Sequence, residues 1–246
     1  MTSYVLPNGW ELADRRLELL ESCHDPTSIR LAKRLGAGGA CLEAGAGHGS
    51  FAHWLAGRGA DVLAVDLDTR LIEPASNLEV RELNLVTDEL PVGAFDFVHT
   101  RLVLIHVPER ELVLPKLVAA LRPGGLLLVE EDDTYPIEAA STGPYRAAWD
   151  AFLELTVEAG LDPNWARGLP ERLLDLGLVD VGAEVDVQFF PGGSPPARFW
   201  AMTWLPVRDR VGAVLDGGRL ALEDPTRWFH GPAKFSVWGR RPVAAV

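Results

Sequence analysis

Cysteine and lysine are both scarce in this sequence, and it contains no long hydrophobic run. The two cysteines, Cys23 and Cys41, supply neither a disulfide framework nor a thiolate metal set. A reducing, cytoplasmic compartment suits such a chain. Lysine occurs only at Lys33, Lys116 and Lys234. Nearly all positive charge is therefore arginine, a bias that with abundant Ala, Gly, Leu and Val suggests a GC-rich bacterial source. No stretch of about 18 uncharged apolar residues is present, which predicts no membrane span and no membrane partner. Residues 1–16 lack the basic-then-apolar layout of a signal peptide. His48 and His53 are five positions apart, which does not put two ligands on one helix face. No other cluster has metal-ligand spacing, so no metal is expected. The formal net charge is −12. Nucleic-acid binding draws on Lys and Arg to neutralise phosphates, so DNA and RNA are disfavoured as partners.

The 246 residues and 48% hydrophobic content are ample for one large α/β domain. The most informative stretch is Cys41-Leu42-Glu43-Ala44-Gly45-Ala46-Gly47-His48-Gly49. An apolar run meets an acid, then three alternate glycines, then the amphipathic pattern Phe51, Ala52, Trp54, Leu55. This predicts strand, tight turn and helix, with backbone N–H groups aimed at the crevice beyond the strand. The dinucleotide fingerprint G-x-G-x-x-G fails at its third place, which is Ser50. Glu43 at the mouth of the turn suits a cationic ligand group better than a pyrophosphate. A second buried run, Asp61 to Asp66, ends in an acid 21 residues after Gly45. That position suits hydrogen bonds to a ribose diol; capping of the next helix is the competing role. Further strands are expected over Leu78 to Leu83, Gly93 to His99 and Leu126 to Glu130, with a helix from Pro108-Glu109 to Leu121.

Glu43-x-Gly45-x-Gly47-x-Gly49, the strand Phe95-Asp96-Phe97-Val98-His99 and the turn Leu121-Arg122-Pro123-Gly124-Gly125 occur in that order between residues 36 and 133. Together they resemble the class I S-adenosylmethionine (SAM) methyltransferases. The resemblance implies a doubly wound, mostly parallel seven-stranded sheet of Rossmann-like type with its last strand antiparallel. It also implies SAM as cofactor and S-adenosylhomocysteine as product. Glu43 would then face the ammonium of SAM, Gly45, Ala46 and Gly47 would form the turn beneath it, and Asp66 with Leu67 would meet the ribose. Asn84 and Leu85 fill the places that meet adenine, although an Asn there also suits a turn, and Arg101, at the end of the fourth strand, joins the cofactor-binding set. Trp10 to Glu21 resembles the helix that precedes the core in a group of bacterial small-molecule methyltransferases. That likeness brings Trp10 and Arg16 into the cofactor site, Arg16 as a bidentate partner for the methionine carboxylate. The competing role for Arg16 is a solvated helix arginine.

Two helices are expected before the first strand, Trp10 to Ser22 and Thr27 to Leu35, separated at Asp25-Pro26. Residues 1–35 then form a helical cap, and residues 36–246 the SAM-binding domain, with lid or substrate-wall segments at about 134–178 and 191–232. In those segments helices are expected over Thr142 to Gly160, Trp165 to Leu176 and Phe199 to Leu215, the last kinked or broken at Pro206, with strands over Val179 to Phe190 and Lys234 to Gly239. Methyl transfer asks mostly for alignment. Where the acceptor must lose a proton, His106 is the candidate general base. Glu131, Asp132 and Asp133 either orient a substrate group or form a solvated loop. Tyr135, Trp149 and Trp204 are candidate substrate-wall residues, since aromatics favour a flat or cationic small molecule. The sequence thus points to methylation of oxygen, nitrogen or carbon on a small, aromatic or heteroaromatic secondary metabolite. A non-catalytic SAM-binding sensor or partner subunit is the alternative. Oligomeric state, a homodimer included, stays open.

Overall fold

The computed structural model describes residues 12–243; Trp10 lies outside them. The chain opens with α1 (Ala13–Leu35), a single helix that carries Pro26 inside it. This corrects the expectation of two helices. Proline removes one backbone donor and pushes away the carbonyls of the preceding turn. Two carbonyls of that turn find side-chain donors, Cys23 O from Gln188 Nε2 at 2.9 Å and His24 O from Lys234 Nζ at 3.5 Å. The helix continues through the proline.

Next come β1 (Ala40–Ala44), α2 (Ser50–Ala56), β2 (Asp61–Asp66), β3 (Leu78–Glu82), β4 (Phe95–Arg101), α3 (Arg110–Ala120) and β5 (Leu121–Asp133). They are followed by α4 (Tyr135–Ala140), α5 (Gly143–Glu158), α6 (Leu169–Asp175), β6 (Val179–Pro191), α7 (Pro195–Thr203), α8 (Arg208–Val211), α9 (Ala213–Glu223) and β7 (Trp228–Arg240). The helix expected over Phe199 to Leu215 is three pieces. Pro206 sits in a 3-10 turn, Leu205–Val207, and Gly212 breaks the chain again at φ +80°.

The strands form one sheet in the order β3-β2-β1-β4-β5-β7-β6. β1 to β5 pair in parallel, with Glu43 opposite both Ala64 of β2 and His99 of β4. β7 runs against β5, as the reciprocal bonds Gly124 N to Arg241 O (2.8 Å) and Arg241 N to Gly125 O (2.9 Å) at its end show. The expected seven-stranded, mostly parallel sheet with an antiparallel last strand is therefore the fold.

The chain divides into two compact units. The first gathers the described part of Met1–His24 with Asp132–Asn164 and Val185–Lys234. Its core is aromatic: Tyr145, Trp149, Phe152, Trp200, Trp204 and Phe229 pack with Leu19, Leu215 and Leu222. The second holds Asp25–Glu131, Trp165–Glu184 and the described part of Phe235–Val246. There the strands alternate across two apolar layers. Cys41, Val62, Phe97 and Leu128 face Phe51 and Leu55 of α2, while Leu42, Leu63, Val98 and Leu127 face Leu114 and Leu117 of α3. The segment 165–178, expected in the substrate wall, belongs to this second unit, where Trp165, Leu169 and Leu173 are core.

Candidate active site

In the second unit β1 ends in the glycine turn. Gly45 and Gly47 have φ +80° and +59°, a region that side chains disfavour. A Cβ on Gly45 would lie 2.1 Å from Val103 Cγ2, so no other residue fits there. The N–H groups of Gly45 and Ala46 both donate to Val65 O (2.8 and 3.0 Å), which fastens the turn to β2. Asp66 finishes that strand. Its Oδ2 accepts from Gly47 N at 2.8 Å and its Oδ1 from Asp68 N at 3.1 Å. Burial raises the Asp66 pKa above the usual carboxylate value, against the pull of these N–H groups. Leu67, next in the chain, is 62% exposed.

Glu43 and its neighbours are the most unusual part of the unit. Residues 43, 99 and 130 lie on adjacent strands β1, β4 and β5, on the face that otherwise carries Cys41, Phe97 and Leu128. Glu43 Oε2 is 2.7 Å from His99 Nδ1, and Glu130 Oε2 is 3.2 Å from His99 Nε2. Ser236 on β7 donates to Glu130 Oε1 at 2.6 Å. His99 and Glu130 are fully buried, and Phe51 of α2 covers the imidazole at 4.2 Å between ring centroids. Burial alone would lower the His99 pKa; the carboxylates of Glu43 and Glu130 outweigh it and push the pKa up to about 8.

Asn84 Oδ1 accepts from Val86 N at 2.9 Å, closing a turn after β3, and Leu85 is buried behind it. Arg101 at the end of β4 is nearly buried. Its Nη2 lies 2.8 Å from Asp25 and its Nη1 donates to Ser28 at 3.0 Å, both on α1. Leu102 follows at φ 55°, and a 3-10 turn, Leu104–His106, ends on the half-buried His106. That turn is held by Glu131, whose carboxylate accepts from Val103, Leu104 and Ile105 N–H at 2.7 to 3.3 Å.

In the first unit Arg16 is 4% exposed, which corrects the solvated alternative, and its Nε has no partner among the described residues. Tyr135 is 40% exposed at the start of α4, where its N–H donates to Asp133 Oδ1 at 2.9 Å. Trp149 and Trp204 are 2% and 0% exposed and serve the aromatic core. A cavity of about 300 Å³ opens beside Leu19, Ala197, Met202 and Leu222, with Arg198 and Arg219 at its wall. The solvated loop considered for residues 131–133 is not found, because β5 runs on to Asp133 and buries all three acids. Among the described residues no group of three His, Cys, Asp or Glu is placed to hold a metal ion, and no helix is long and apolar enough to cross a membrane.

His99 closes the Phe95–His99 strand motif and Glu130 the strand after Gly125, but neither motif gives the side chain a role. Their signal is parity: charged residues inside strands that are buried on both faces require partners on the neighbouring strands at the same level.

Comparison with known proteins bears on the same region. A family model described as a methyltransferase domain matches residues 15–177. The chain is 33% identical over 165 residues to a methyltransferase of Strobilurus tenacellus named str3, covering 63% of this chain and 59% of that one. It thus spans less than two thirds of that relative's length. That relative is fungal, so the arginine bias reports base composition, which varies within both kingdoms, and does not fix a bacterial origin. Among solved structures, the Haemonchus contortus phosphoethanolamine N-methyltransferase 2 bound to S-adenosylhomocysteine matches with TM-score 0.56 at 18% identity, over 96% of this chain and 53% of that one. The [4+2]-cyclase SpnF matches with TM-score 0.53 at 19% identity, over 94% and 82%. At such identities the likeness is one of fold.

Proposed function

This chain belongs to the methyltransferase-domain family, and from that premise we propose that it transfers a methyl group from SAM to a small organic acceptor. The observation that carries this reading is the acidic character of the glycine turn. Glu43 precedes it and Asp66 stands behind it, and their partners among the described residues are one histidine and backbone N–H groups. A pyrophosphate would meet the Glu43 carboxylate at the mouth of the turn, whereas a sulfonium or ammonium is attracted to it; Asp66 suits a ribose in either case. Bound at this turn, SAM supplies a methyl group already activated by its positive sulfur.

The chain's own part is alignment. Glu43 receives the ammonium, Asp66 and Leu67 the ribose, and Asn84 and Leu85 the adenine, with Gly45, Ala46 and Gly47 letting the backbone approach. Arg101, engaged with Asp25 and Ser28, braces the end of β4 beside them. His106 is our candidate for the proton acceptor. The net charge of −12 supports a small acceptor over a nucleic acid.

Calorimetric titration with S-adenosylhomocysteine tests the site. Asp66→Ala and Gly47→Val are each expected to weaken binding at least about tenfold, or about 1.4 kcal/mol. Undiminished affinity in both variants would sink the assignment. A screen of candidate acceptors, read by a mass gain of about 14 Da, tests the transfer itself. Tight binding without turnover on any acceptor would favour a non-catalytic sensor or partner subunit, and turnover without methylation would point to other chemistry on this fold, as the cyclase SpnF illustrates.

A further inference from the structure

We propose that His99 is a positioning residue for the cofactor site, acting as an imidazolium shared by Glu43 and Glu130 that fixes the Glu43 carboxylate on the edge of the glycine turn. The inference rests on the reading of that turn as a SAM site and extends it to residues that make no contact with the ligand. Each imidazole nitrogen faces a carboxylate oxygen, at 2.7 Å and 3.2 Å. A neutral imidazole has one donor and one acceptor nitrogen, so one of these contacts would set a lone pair against an anion. With both carboxylates ionised, the doubly protonated ring satisfies both. The bond to His99 uses Oε2 of Glu43 alone, which leaves Oε1 to a ligand donor.

Among the described residues, the charged groups that act on the ring are Glu43 from β1 and Glu130 from β5. α2 presents Phe51, β4 itself presents Phe97 at 6.1 Å between ring centroids, and β7 presents the Ser236 hydroxyl on Glu130. Two buried carboxylates with one imidazolium carry a single net negative charge. Loss of the proton would leave two in the same volume, a state so costly that Glu43 would be neutralised or displaced. The cofactor's ammonium would then lose its partner. Rising pH through the titration of His99 should therefore weaken binding, and falling pH should not.

The test pairs a spectroscopic and a binding measurement on the full chain. With ¹⁵N-labelled histidine, NMR should show His99 protonated at both nitrogens at pH 7 and losing a proton near pH 8; a neutral ring at pH 7 overturns the proposal. Titration with S-adenosylhomocysteine should show His99→Gln binding about tenfold more weakly than wild type at pH 7, the scale of one hydrogen bond to a charged group. The ratio of the two affinities should shrink toward one by pH 9. The ligand's own titration cancels in that ratio, and a purely structural role of His99 would leave it constant, which would overturn the proposal. Glu130→Gln guards against misfolding of the first variant: it should lower the His99 titration and weaken binding several-fold, and wild-type affinity in it overturns the proposal. Absence of binding by the wild type would instead refute the cofactor reading, and the relay's role would fall with it.

Discussion

Arg16 brings its guanidinium into the first unit with only 4% exposure, and its Nε lacks a hydrogen-bond partner among the described residues. A buried cation without a full set of acceptors opposes folding, and such a group persists where a ligand completes it. A carboxylate is the natural complement, since it matches the planar donor fork. Arg16→Met keeps much of the side-chain volume and removes the charge. We expect its melting temperature to equal or exceed that of the wild type by a few degrees, because a buried Nε without a partner among the described residues is removed. Affinity for S-adenosylhomocysteine should fall at least about tenfold if the cofactor's carboxylate is the missing partner. Differential scanning calorimetry and titration on one preparation check both halves, and a marked loss of melting temperature would show that the guanidinium is satisfied by the protein itself.

At the scale of elements, the turn of α1 that precedes Pro26 takes donors from far along the chain. Gln188 and Lys234 bond the carbonyls that precede Pro26. Replacing Gln188 with leucine leaves Cys23 O without its donor and should cost about 1–2 kcal/mol in urea unfolding; an unchanged midpoint would mean that water replaces the amide. The sequence reading missed the continuous helix here. Within a window around Asp25-Pro26 every local rule ends the helix, and these donors are 165 and 210 residues away. β1, β2, β4 and β5 were legible because short apolar runs bounded by Gly and Pro need no distant partner to be recognised. β7 begins six residues before its expected start at Lys234, since Trp228 to Ala233 includes Gly231 and Pro232, which read as breakers. The site divides in the same way. The glycine turn with Glu43 and Asp66 was legible as a local pattern. His99 was not, because its two carboxylate partners are 56 and 31 residues away and its meaning lies in strand register.

For the whole molecule, stability should respond differently to acid and to alkali. On the acid side, Glu184 is held below its ordinary value by hydrogen bonds from Arg30 and Arg34, and Asp96 by the Ala40 N–H and by Arg122. Carboxylates of this kind contribute stability above their unfolded pKa and lose it as pH falls through the folded one. Both are partly exposed to solvent, so each contributes little and the acid transition should be gradual. The alkaline side is governed by a fully buried group. His99 titrates at 6.5 when unfolded and near 8 when folded, so its contribution is complete below about 6.5 and disappears as pH rises through about 8. That shift corresponds to roughly 2 kcal/mol at most. A net charge of −12 acts in the same direction, since deprotonating His99 adds one more negative charge to an already self-repelling chain. The melting temperature should therefore fall by a few degrees between pH 6 and pH 9, most steeply from about 6.5 to about 8. In Glu130→Gln the alkaline fall should shrink, because the imidazolium loses one of the two anions that sustain it. Parallel pH profiles for wild type and variant would mean that the alkaline transition belongs to other groups.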